Sequence, residues 1–232
     1  MKWSRDFTNK INWFFDNILP PILRDNRYFM KIFFLITGGT HWRRFMDFKE
    51  RAPLLSLDEF KKYYIFVEDR NIKRPTDINK KSIRMIMKLI QGKTVLDVGC
   101  GRGFLAKKIA EELQCNVTGM DMLILPGLEN AGNMIFIEGS LEENSFKNKS
   151  FDTVICAHTL EHVLNIQDAV HELRRLCKKR LILVVPKQRE YKYTFDLHLH
   201  FFPYPYSLHL LMNNMEGKCI EIDNDLLYYE DL

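Results

Sequence analysis

Two carboxylates and three glycines carry the first chemistry visible in this chain. An apolar run, Thr94-Val95-Leu96-Asp97-Val98, leads into Gly99-Cys100-Gly101-Arg102-Gly103, and residues from Phe104 to about Leu113 have the pattern of a helix. A strand that ends in a glycine-rich turn and opens a helix aims backbone N–H groups, and the positive end of the helix dipole, at whatever lies beyond the strand. Such a turn is a cradle for a nucleotide-like cofactor. A dinucleotide site needs a third small residue, at the last place of G-x-G-x-x-G, where helix meets strand. Here that place is Phe104, and the glycines run G-x-G-x-G with Asp97 two residues ahead of the first. A second acid, Asp121, closes the short strand Asn116–Asp121. It lies about twenty residues past the turn, where a carboxylate accepts hydrogen bonds from ribose hydroxyls.

The pattern D-x-G-x-G-x-G resembles motif I of the class I S-adenosylmethionine-dependent methyltransferases. Three further segments extend the resemblance in order: the strand ending in Asp121; Ser150 to Val163, similar to the family's F-D-x-V-x-x-x-x-x-L-E-H; and the apolar run Arg180-Leu181-Ile182-Leu183-Val184-Val185-Pro186. Together they cover roughly Thr94 to Pro186. The resemblance implies S-adenosyl-L-methionine as cofactor, S-adenosyl-L-homocysteine as product, and direct displacement of the methyl group by an acceptor atom. It assigns Asp97, Gly99, Cys100, Gly101 and Gly103 to the methionine portion, Asp121 to the ribose and Met122 to the adenine. Ser140, Leu141, Ala157 and His158 complete the expected cofactor set. Where relatives often place an acid after Gly139, this chain has Ser140, and the usual glycine turn before the fifth strand is replaced by Leu176-Cys177-Lys178-Lys179-Arg180.

On the acceptor side the expected residues are His158, His162 and His200. His158-Thr159-Leu160-Glu161-His162 also spells H-x-x-E-H, a zinc-protease signature when carried on a helix. Its place after a strand end, where open α/β sheets bind ligands, argues against that chemistry. A looser alternative has His158, Glu161 and His162 holding a divalent ion or steering an acceptor hydroxyl, as in some quinone-precursor O-methyltransferases; no metal is expected. His198-Leu199-His200-Phe201-Phe202 looks like the family's substrate loop, and His209 is read as structural.

Composition narrows the alternatives. The 232 residues, 46% hydrophobic, suffice for one domain with an extension. Five cysteines without a C-x-x-C pair fit a reducing compartment, hence a cytoplasmic location, and small buried thiols. The net charge of +4 is unevenly spread: residues 1–90 hold nineteen Lys/Arg against ten Asp/Glu, a balance of +9, and the remainder carries −5. That basic half favours a nucleic-acid or protein methyltransferase as the alternative, yet no [ND]-P-P-[YF] box and no Pro-Cys pair occurs, so no nucleic acid is expected. A non-catalytic S-adenosylmethionine-binding module is the other alternative. Trp3, Trp13 and Trp42 all fall in the first forty-two residues. No run there is long enough to cross a bilayer, which takes about 20 apolar residues.

The elements that must position these residues follow from periodicity. Residues 1–50 read as two amphipathic helices separated by Pro20-Pro21, the second ended by Gly38-Gly39. Their apolar faces are expected to pack as a lid or dimer contact, or to lie on a membrane surface. Pro53 to Asn71 reads as a helix, and Thr76 or Asp77 as the N-cap of another through Ile90. Strands and helices then alternate, with strands at 94–98, 116–120, 134–138, 151–157 and 180–185, and helices at 166–177 and 206–212. Two last strands, 218–222 and 226–229, are joined by Asp223-Asn224-Asp225. Alternation of this kind builds a doubly wound, mostly parallel α/β sheet. The expectation is a Rossmann-like seven-stranded sheet with an antiparallel C-terminal edge hairpin, in a domain 76–232 behind a helical extension 1–75. The acceptor implied is small, or linked to a lipid or glycan, as in the quinone, lipid and glycan subgroup.

Overall fold

An unbroken apolar run such as Leu181 to Val185 is buried whole only when both faces of its strand are covered. The computed structural model, which describes residues 5–38, 42–70, 75–193 and 196–232, covers both. Its strands are β1 (Thr94–Val98), β2 (Asn116–Asp121), β3 (Met134–Glu138), β4 (Phe151–Ala157), β5 (Cys177–Pro186), β6 (Lys218–Ile222) and β7 (Asp225–Asp231). The helices are α1 (Arg5–Asn17), α2 (Pro21–Arg24), α3 (Arg27–Gly38), α4 (Trp42–Arg51), α5 (Leu57–Arg70), α6 (Lys80–Leu89), α7 (Phe104–Leu113), α8 (Ile166–Leu176) and α9 (Pro205–Met212). All seven strands form one sheet in the order β3-β2-β1-β4-β5-β7-β6. The first five run parallel, and β7 is antiparallel to both neighbours. This is the expected doubly wound architecture with its antiparallel edge.

Side-chain alternation sorts the sheet's residues between two cores. Leu96, Val98, Val154, Cys156, Leu181, Leu183 and Val185 face Val170, Leu173 and Leu176 of α8 and Leu208 and Met212 of α9. Val95, Val117, Ile155, Ile182 and Val184 face Ile83 and Ile86 of α6 and Leu105, Ala106 and Ile109 of α7. Neighbouring residues of β4 and β5 thus go to opposite cores, which is why the runs Val154–Ala157 and Leu181–Val185 show no polar interruption.

The chain divides into two compact units: Arg74–Lys187 with Phe202–Leu232, and Met1–Lys73 with Gln188–Phe201. The second includes the segment after β5 together with the N-terminal helices. Tyr193 is buried with Phe15, Met30, Phe34 and Met46. Lys49 donates from Nζ to the Tyr191 carbonyl at 2.8 Å, and the Lys192 amide donates to Asp25 at 2.9 Å.

Local differences from the sequence reading have local causes. Among the described residues, the first fifty contain four helices rather than two; α4, WRRFMDFKER, buries only Met46 and Phe48, so its stripe is too narrow to stand out in a charged sequence. The stretch from Pro53 splits into a short 3-10 turn, Ala52–Leu54, and α5, which starts at a capping box. There the Ser56 amide donates to Glu59 at 2.9 Å and the Glu59 amide donates to Ser56 Oγ at 3.3 Å. The N-cap of α6 is Asn79, not Thr76 or Asp77; Thr76 Oγ1 instead accepts from the Ile78 amide at 3.2 Å. Strand β5 begins at Cys177 rather than Arg180, following α8 directly and pairing Cys177 with Phe151 across a register shift. All five cysteines are free thiols, four of them buried.

Candidate active site

Because β1 lies between β2 and β4 and the chain leaves it in one direction and returns on the other side, the carboxyl ends of these strands border the sheet's switch point. Asp97 is the next-to-last residue of β1, Asp121 ends β2, Ser140 lies two residues past β3, and Ala157 ends β4. Residues distant in sequence therefore share one edge. Gly99, Cys100, Gly101 and Gly103 form the turn out of β1, and Met122, Leu141 and His158 follow directly on these positions.

The turn is held in shape by its neighbours. The Gly99 and Cys100 amides donate to the Met120 carbonyl at 2.7 and 3.1 Å, and the Gly101 amide donates to Asp121 Oδ2 at 2.8 Å. Asp121 Oδ1 accepts from the Leu123 amide at 3.1 Å. Two glycines are needed for different reasons. At Gly99, φ is +68° and a Cβ would sit 2.0 Å from Thr159 Oγ1, so the backbone must pass against β4's exit loop. At Gly101, φ is +52° and a Cβ would meet nothing within 4 Å, so its face is open to a ligand. Cys100 lies beneath the turn, where burial, with Asp97 and Asp121 nearby, pushes its thiol far above the ordinary range; it is a packing residue rather than a nucleophile.

Asp97 is the unusual group. It is 3% exposed, burial and the neighbouring Asp121 charge push its carboxyl up to about 7, and its Oδ2 has no hydrogen-bond partner among the described residues. A buried carboxylate oxygen left unpaired is costly unless a ligand donor completes it. An amino acid ammonium is such a donor, so the residues present fit an aminoacyl-bearing cofactor over the open face of Gly101.

Ser140 and Leu141 are buried; Ser140 Oγ accepts from the Glu143 amide at 3.1 Å, and Leu141 joins the core beneath the sheet. Met122 is half-buried at the exit of β2. His158 holds φ +55°, with its amide donating to the Val184 carbonyl at 2.8 Å. Its Nε2 lies 3.2 Å from Asp225 Oδ1 and its Nδ1 3.7 Å from Glu161 Oε1. Asp225 Oδ2 in turn accepts from Asn79 Nδ2 at 2.6 Å and Ser82 Oγ at 2.8 Å. Burial pushes the His158 imidazole down, but the Asp225 hydrogen bond and the charges of Asp225, Glu161 and Asp77 outweigh it and hold the ring above its ordinary value. Burial likewise raises Asp225, and the His158 bond and charge bring it below the usual carboxylate range.

His162 ends a 3-10 turn, Leu160–His162, with Nε2 3.9 Å from Glu161 Oε1. This turn is not the helix that a zinc-protease reading of the motif requires. His200 belongs to the helical unit with His198, whose Nδ1 lies 2.7 Å from Gln188 Oε1. Asp225, Asn79 and Ser82 were not singled out by sequence. Asp225 reads there as a turn residue, and nothing in the linear order pairs it with His158.

Residues 96–185 match the family model described as a methyltransferase domain. A ubiquinone biosynthesis O-methyltransferase of Klebsiella pneumoniae is 40% identical over 95 residues, which is 38% of this chain and 39% of that protein. Its counterpart from Salmonella arizonae is 39% identical over the same length. The match therefore spans about two fifths of these curated relatives, 39% of their length. Among solved structures, the 1,6-didemethyltoxoflavin-N1-methyltransferase of Burkholderia thailandensis, bound to its substrate and S-adenosylhomocysteine, superposes with a TM-score of 0.54 at 15% identity, covering 66% of this chain and 76% of that one. The [4+2]-cyclase SpnF superposes at 0.50 with 16% identity, covering 61% and 58%. The sheet order, the glycine turn between two carboxylates and the sequence match define a class I S-adenosylmethionine-dependent methyltransferase domain.

Proposed function

We propose that the protein transfers a methyl group from S-adenosyl-L-methionine to a small or lipid- or glycan-linked acceptor, working in the cytoplasm at a membrane surface. The observation that carries this reading is the unpaired Oδ2 of buried Asp97, at the strand end that leads into the turn where a Cβ on Gly101 would meet nothing within 4 Å. Bound S-adenosylmethionine supplies the activated methyl group. The protein's work is then positioning and exclusion of water. Asp97 receives the ammonium, and the turn from Gly99 to Gly103, with Cys100 beneath it, shapes the floor under the methionine portion. Asp121 takes the ribose hydroxyls. Met122, Ser140, Leu141 and Ala157 flank the adenine.

Of the acceptor-side groups, His158 acts as a positioning residue, since both its ring nitrogens face carboxylates. His162 is the proposed base or acceptor contact, and His200 a further acceptor contact. The relatives named for ubiquinone biosynthesis favour a quinone-like or other amphiphilic acceptor. The cyclase with the same fold is a reminder that the scaffold serves other reactions. Calorimetric titration with S-adenosylhomocysteine tests the reading: micromolar or tighter binding, weakened in Asp97→Asn and Asp121→Ala, is the expected result. Absence of binding in the native chain overturns it. A variant His162→Ala with unchanged kcat across pH removes His162 from the chemistry.

A further inference from the structure

Helix α3 is apolar on two sides. Met30 and Phe34, fully buried, face the core of their own unit with Phe15, Met46 and Tyr193. The opposite stripe, Tyr28, Ile32, Leu35 and Ile36, has the i, i+4, i+7, i+8 spacing of one helix face and is 82%, 62%, 43% and 75% exposed. The short helix before it continues the pattern, with Ile22 80% exposed and no residue buried. A helix with a second apolar stripe in water marks an interaction surface.

The charges of the same segments say what covers it. Neither α2 nor α3 contains an acid; of their charged residues, Arg24 donates to the Phe15 carbonyl at 3.3 Å, Arg27 pairs with Asp47 at 3.0 Å, and Lys31 lies over the Trp42 ring. The unit they belong to carries a net +5, whereas the sheet unit carries −1. A second copy meeting this face about a two-fold axis would set the same cations against themselves. An anionic lipid surface attracts them, while aromatic and branched side chains enter the headgroup boundary. With twelve residues, α3 is too short to span a bilayer, and among the described residues no helix is long and apolar enough to do so. We infer that the outer face of α2 and α3 docks in the plane of an anionic membrane surface. The inference deepens the reading of an acceptor reached at a membrane and rests on it only for the substrate.

Co-sedimentation of the full chain with vesicles tests it, using phosphatidylcholine alone and mixed with phosphatidylglycerol. The expected result is binding to the mixed vesicles, weakened by salt. It should fall by at least about tenfold in a double variant, Ile32→Glu with Ile36→Glu, because two charges then replace inserted apolar tips. Lys31→Glu should weaken it less. These side chains are exposed, so circular dichroism and S-adenosylhomocysteine binding should stay native. Failure to bind either vesicle overturns the inference, as does equal binding to both. A dimer in light scattering that the double variant turns into monomer also overturns it, in favour of a second copy. In the native chain, no vesicle binding with intact S-adenosylhomocysteine binding sinks this surface alone; vesicle binding without S-adenosylhomocysteine binding sinks the catalytic reading alone.

Discussion

The two units spend their apolar residues differently. In the sheet unit, neighbouring residues of β4 and β5 go to opposite cores, and Leu181 to Val185 are all at 0% exposure. In the helical unit, α3 buries Met30 and Phe34 and leaves Ile32 and Ile36 in water. The same residue types thus fill the core in one region and stay in water in the other. Burial, not composition, separates the roles.

The sharpest way to break that contrast is to truncate one apolar residue in each region. Leu183→Ala should cost about 2–5 kcal/mol in urea unfolding, since a cavity opens between sheet and helix. Gly99→Ala should cost about 2–4 kcal/mol, combining the left-handed backbone with a Cβ driven into Thr159. Gly101→Ala, whose Cβ meets nothing, should lose less stability while still losing ligand affinity.

Next comes Asp97, the buried group proposed to receive the ammonium. Asp97→Asn should weaken S-adenosylhomocysteine about ten- to a hundredfold, roughly 1.4–2.8 kcal/mol. Its folded pKa of about 7 lies above the unfolded value, so its contribution to the free protein's stability is complete below the unfolded value and lost as pH rises through about 7. The native protein should therefore gain less stability from pH 5 to 8 than the variant, by thermal melts. Affinity for the ammonium-bearing ligand should move the other way and weaken as pH falls below 7, by at most about tenfold per unit.

The His158–Asp225 pair has the ordinary signs. The raised imidazole stabilises fully below its unfolded value of about 6.5 and fades as pH rises through its higher folded value. The depressed Asp225 stabilises above its unfolded value of about 3.9 and is lost as pH falls through its lower folded one. Asp225→Asn should therefore cost most between these limits, about 1–2 kcal/mol near pH 5–6. The smallest effect is expected for Ile36→Ser, within about 0.5 kcal/mol by urea unfolding. A larger loss would show that this side chain is buried in solution and erase the contrast.

Much of the sheet unit was legible because its signals are local. Period, glycine spacing and strand-end acids gave β1, β3, β4 and β6 to the residue. The start of β5 was missed because α8 passes into it without a turn residue, and α4 because its buried stripe is narrow among charges. That Asp97, Asp121, Ser140 and Ala157 share one edge of the sheet was legible, since each lies at or near a strand end. The partners of His158 were not, because Asp225 and Asn79 reach it through a hairpin and a helix cap far away in the chain.

By itself the sequence determined the order of strands and helices, the glycine turn and its two carboxylates, since each depends on residues a few positions apart. Tertiary structure alone decided that segment 188–201 joins the helical unit, that Asp225 meets His158, and which stripe of α3 stays in water. Those outcomes depend on which surfaces meet once the chain has closed on itself. Periodicity reports that a face is apolar; only packing reports whether anything covers it.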